Sequence, residues 1–100
     1  MNYNFEKPTV IDTEMKVRAL ITDIEKRRDK NNKEYWVVRT QLDERNPRTY
    51  LAFSNDYNLA PKTLSLLMNY PHLLVNNWGL LTIKKNNDRE KVIAIEMDKT

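Results

Sequence analysis

The stretch MKVRALITDIEKRRDKNNKEYWVVRTQLD, residues 15–43, decides how this chain folds. Met15, Val17, Ala19 and Ile21 alternate with Lys16, Arg18, Leu20 and Thr22, the period of two that a strand imposes. The apolar set then changes parity, with Leu20 and Ile24 on the other phase. A long strand that bulges and passes from one sheet face to another gives this pattern. The basic run KRRDKNNK, residues 26–33, follows, with Asn31-Asn32 at its centre. Asn tolerates the left-handed backbone of a tight hairpin, so this pair can stand in for Asn-Gly. Glu34 to Leu42 is a second strand. Its even face, Trp36, Val38, Thr40 and Leu42, reads as core, and its odd face carries Tyr35, Val37, Arg39 and Gln41.

Working outward, residues 1–13 have no clear period and read as an N-terminal arm in which Tyr3 and Phe5 are the anchors; residues 14–100 form the domain. Asp43 to Pro47 is a turn. Arg48 to Ser54 is a third strand, with Leu51 and Phe53 on one face and Arg48, Tyr50 and Ala52 on the other. Pro61 fits the first position of a helix that continues through Leu64, Leu67 and Met68 to about Asn69, where Pro71 stops it. Trp78 to Lys85 is a fourth strand, Asn86-Asn87 turns the chain, and Lys91 to Met97 is a fifth. Trp36, Leu51, Phe53 and Trp78 are assigned to the core, and His72 to the surface or a helix end.

Composition narrows the functions on offer. One hundred residues make one domain, with 40% hydrophobic and 31% charged residues. A mean hydropathy of −0.76 and the lack of any apolar run near 20 residues argue against a membrane span. The N-terminus lacks the apolar segment of a secretory signal, so a cytoplasmic location is expected. With no cysteine there is no disulfide, thiolate zinc site or thiol nucleophile. With one glycine, Gly79, there is no glycine-rich phosphate loop. His72 is the only histidine. The nearest carboxylate pairs, Asp43 with Glu44 and Asp12 with Glu14, have no histidine partner. No enzyme, cofactor or metal is expected.

The net charge is +3, and its distribution matters more than its size. Residues 26–33 hold five bases and one acid, and residues 84–91 hold four bases and two acids. Together they carry +6, so the rest of the chain carries −3.

The element order is β-β-β-α-β-β. In that order, and in the hairpin of residues 15–43, the chain resembles OB-fold proteins that bind single-stranded nucleic acid. The resemblance covers about residues 14–98. It implies an all-β fold with one helix, a five-stranded Greek-key barrel. An SH3-like barrel and an open α+β sheet remain as alternatives. It also implies a binding surface on strands two and three, flanked by the loops joining strands one and two and strands four and five. Those loops are the two basic segments.

The expected nucleic-acid contacts are Lys26, Arg27, Arg28, Lys30 and Lys33 in the first loop and Lys84, Lys85 and Arg89 in the second. Tyr35, Arg39, Arg48 and Tyr50 are expected on the outer faces of strands two and three, with Lys16 and Arg18 extending the groove along strand one. Rings offer bases a stacking platform, and cations neutralise phosphates.

The expected role is a non-catalytic module binding single-stranded DNA, or RNA, in replication or repair, with a phage or mobile element as one setting for so Asn- and Lys-rich a chain. The second class is a protein-interaction subunit of a polymerase, primase or helicase, docking through the N-terminal arm or the apolar run Leu64 to Leu74. Homo-oligomers are compatible with either.

Overall fold

The computed structural model describes residues 12–86 and 88–98. Tyr3, Phe5 and Asn87, and hence the anchoring arm and half of the proposed Asn-Asn turn, lie outside the described residues. Five strands, β1 (Asp12–Arg28), β2 (Glu34–Gln41), β3 (Pro47–Phe53), β4 (Asn77–Asn86) and β5 (Arg89–Met97), form a closed sheet in the order β1-β2-β3-β5-β4. One helix, α1 (Pro61–Asn69), and a single 3-10 turn, Pro71–Leu73, lie between β3 and β4. Asp12 and Thr13, expected in the arm, belong to β1.

The 17-residue β1 serves two partners in succession. Its first part, Asp12–Ile21, pairs antiparallel with β4, and its second, Leu20–Arg28, pairs with β2. The register shifts between Ile21 and Asp23, so Thr22 is an extra residue and the strand changes parity there. This bulge is the physical basis of the phase change in the sequence: Ala19 and Ile21 face the core before it, and Ile24 packs against the core after it. The following hairpin closes through Asn32 N–H donating to the Asp29 carbonyl, with Asn32 at φ 65°. The Asp29 carboxylate accepts from the backbone N–H groups of Asn31 and Lys33, so the turn is held by its own side chain.

The core is Trp36 and Val38 of β2, Tyr50 and Ala52 of β3, Leu81 and Ile83 of β4, and Val92 and Ile95 of β5, completed by Leu59, Leu67 and Leu74. A second bulge lets both Val92 and Ile95 face inward. Thr82 pairs with Ala94 and Ile83 with Val92, leaving Ile93 extra.

β3 and β5 meet at a single parallel pair, Leu51 with Lys91, so this is the weakest seam of the sheet. Further along β5 the segment leading into α1 takes over. Ala60 N–H donates to the Ile93 carbonyl, and the buried Thr63 hydroxyl accepts from Ile95 N–H. Thr63 and Leu67, four residues apart, are the buried face of α1.

Gly79 is where β4 needs a missing side chain. A Cβ there would sit 3.0 Å from the Met97 sulfur and 3.2 Å from the Glu96 carbonyl oxygen. The sulfur can swing away but the backbone carbonyl cannot, so Gly79→Ala should cost about 1–2 kcal/mol of stability by overpacking. In urea unfolding this appears as a lower midpoint with an unchanged slope.

Candidate nucleic-acid interface

The β2–β3 hairpin decides which side chains face out. Its turn is closed by Leu42 N–H donating to the Asn46 carbonyl, and Arg45 N–H donates to the Asp43 carboxylate. Gln41 then pairs with Pro47 and Val38 with Tyr50, so even positions of one strand meet even positions of the other. Trp36 and Val38 face inward, and therefore Tyr50 and Ala52 do as well.

Tyr50, expected on the outer face, is 4% exposed and part of the core. Burial raises its hydroxyl pKa, with the Glu90 charge adding to the effect, so the hydroxyl stays neutral. Leu51 and Phe53, expected in the core, lie half-buried on the outer face. Trp78 is also corrected: Gly79, Leu81 and Ile83 take the inward positions of β4, leaving it outside and 39% exposed.

Phe53 is the residue the sequence reading missed. Its ring stacks on Tyr35, its cross-strand partner, with centroids 5.7 Å apart and planes 27° from parallel. On the far side the Arg89 guanidinium lies 5.5 Å from the Phe53 centroid. On the near side Arg27 is the register partner of Tyr35. Arg27, Tyr35, Phe53 and Arg89 thus form a stripe across β1, β2, β3 and β5. One end leads into the basic hairpin tip and the other into the β4–β5 turn. Beside Arg89 opens a cleft of about 750 Å³ lined by Thr49, Leu51, Asn86, Asp88, Glu90 and Lys91.

The other expected cations fall into distinct groups. Lys30 and Lys33 are exposed at the hairpin tip and make no ion pair among the described residues. Lys26 and Arg28 lie on the opposite face of β1 from Arg27, and both reach Glu34, at 3.4 and 3.2 Å. Arg39 shares the outer face with Tyr35 and is held by Asp23 at 2.9 Å and Glu25 at 3.1 Å. Lys84 lies beside Lys91 in register on the outer face, and Lys85 lies opposite Glu90.

Three expected contacts are not brought to the stripe. Lys16 and Arg18 face outward where β1 pairs with β4. Arg18 is tied to Asp98 at 2.7 Å and covers the Trp78 ring at 5.3 Å. Arg48 is exposed at the start of β3, on the same parity as Tyr50, five residues from Phe53.

One largely buried ion pair lies beside this cleft. Lys91 Nζ lies 2.9 Å from Asp56 Oδ2, with the two side chains 19% and 8% exposed. The contact has ion-pair length, but Oδ2 lacks an aligned hydrogen-bond donor. Burial alone would raise the Asp56 pKa. The Asn58 backbone N–H and the Lys91 ammonium outweigh it and hold the carboxyl below its ordinary value.

Among the described residues no group of three or more His, Cys, Asp or Glu side chains is placed to hold a metal ion, and no helix is long and apolar enough to cross a membrane. Comparison with protein families, curated proteins and solved structures finds no match.

Proposed function

We propose that this chain is a non-catalytic OB-fold module that binds single-stranded DNA, or RNA, across the outer face of β2 and β3. The strand order and the position of α1 between β3 and β4 support the OB-fold reading. The observation that carries the function is the stripe Arg27–Tyr35–Phe53–Arg89, which joins two rings in stacking contact to the two basic tips. Rings accept any base face, and flanking cations take the phosphates on either side.

Charge reversal of Arg27, Arg28 and Lys30 to glutamate tests this by fluorescence anisotropy with a labelled oligo-dT. The variant should lose binding while its circular dichroism stays that of the parent. Undiminished affinity would remove the hairpin tip from the interface.

A second reading, an accessory subunit of a replication enzyme, is favoured by one observation. Met68, Tyr70 and Leu73, on α1 and the turn after it, are each about half exposed. Met68→Glu with Leu73→Glu should abolish capture of a protein partner and leave oligonucleotide binding intact.

A further inference from the structure

The outer face beside the ring stack already holds an anion of its own. Glu25 accepts two hydrogen bonds from Arg27, Nε at 2.9 Å and Nη2 at 3.1 Å, one to each carboxylate oxygen. Its Oε1 also accepts from Arg39 Nη1 at 3.1 Å, and the same Nη1 donates to Asp23 Oδ2 at 2.9 Å. One carboxylate therefore bridges two guanidinium groups that belong to different strands. The two arginines also hold the Glu25 pKa below its ordinary value, Arg27 having the larger effect.

The register places this array against the stack. Arg27 pairs with Tyr35, Glu25 with Val37 and Asp23 with Arg39, all on the outer face of β1 and β2. A bidentate contact to a planar pair of oxygens is what a guanidinium offers a phosphodiester as readily as a carboxylate. All four side chains are roughly half exposed, so a ligand can reach them and the bridge is weak enough to be displaced.

We infer that Arg27 and Arg39 form a phosphate-binding fork at the edge of the Tyr35–Phe53 stack, and that Glu25 is the specificity-determining residue that occupies the fork until a phosphodiester displaces it. This rests on the proposed binding of single strands. Glu25 thereby lowers affinity for isolated anions and selects ligands that gain from base stacking at the same time. Without the glutamate, the fork is open to any backbone phosphate.

Glu25→Gln tests the inference by anisotropy with labelled oligo-dT across a salt series, with Glu96→Gln as a control. Glu96 is exposed on β5, away from the fork, and its replacement changes the net charge equally. Glu25→Gln should tighten binding roughly fivefold at low salt and steepen the salt dependence by about one phosphate contact. Glu96→Gln should change affinity less than about twofold. Adding Arg27→Gln to Glu25→Gln should erase the gain. Equal tightening by both single variants, or weaker binding by Glu25→Gln, overturns the inference. The second result would make Glu25 a brace that positions the arginines. If neither the parent nor Glu25→Gln binds oligo-dT while both remain folded, the proposed function itself falls.

Discussion

Replacing Tyr35 and Phe53 together with leucine should weaken binding to a single strand by roughly a hundredfold or more, with little change in stability. Leucine keeps most of the apolar contact between β2 and β3 but has no π face. Base–aromatic stacking is worth about 1–3 kcal/mol per base, and the two rings lie in one continuous stack. Each single variant should lose less than half of the double variant's effect in kcal/mol, because the remaining ring can still carry a base. Anisotropy against oligo-dT gives the affinities and thermal unfolding gives the stability. Unchanged affinity in the double variant would mean that the outer face of β2 and β3 is not where bases lie.

The second large effect is expected at the Asp56–Lys91 ion pair. Asp56→Ala leaves the Lys91 ammonium in a mostly buried position without its counter-charge, and should destabilise the domain by about 2–4 kcal/mol. That is a large share of the 5–15 kcal/mol a domain of this size ordinarily has. The pair also sets a pH dependence. The folded-state pKa of Asp56 is lowered, so its contribution is fully present above the unfolded value near 3.8 and is lost as pH falls through the lower folded value. Glu25 is shifted in the same direction and adds to the same acid limb. In urea unfolding from pH 6 downward, the parent should lose stability below about pH 4, and Asp56→Asn should show a shallower loss. Identical acid limbs would mean that Asp56 titrates alike in both states.

The order of the elements was legible because local signals agreed with one another. The alternation from Met15 to Ile21 and its break before Ile24 announce a long bulged strand, and Pro61 and Pro71 bracket the helix. The faces of β3 were not legible. Both parities carry apolar residues, Tyr50 and Ala52 on one and Leu51 and Phe53 on the other, so periodicity could not choose between them. The choice is made by the turn after Gln41, whose length pairs even positions with even and carries Tyr50 inward beside Val38. Applied to the buried even face of β2, that rule would have exposed Phe53 as the second ring.

The charge reading divides in the same way. The two basic tips are visible as composition, whereas the partners of their cations depend on register. Glu25 reaches Arg27 and Arg39 because the bulge at Thr22 sets the outer face of β1 that follows it. Glu34 meets Lys26 and Arg28 because the hairpin folds it back beside them. A count of bases by segment therefore overstates the free positive charge at the first tip, where Lys30 and Lys33 are the exposed cations without ion pairs among the described residues.

In the proposed function, an aromatic and guanidinium stripe binds single strands through stacking and phosphate neutralisation together. A salt-titrated affinity series with single-stranded DNA, single-stranded RNA and duplex DNA of equal length tests it most directly. Binding to both single strands is expected, with log affinity falling linearly in log salt, and much weaker binding to duplex, whose bases are not available to Tyr35 and Phe53. Equal affinity for duplex and single strand would contradict the stacking role, and absence of binding to every oligonucleotide at low salt, with the protein folded, would contradict the function.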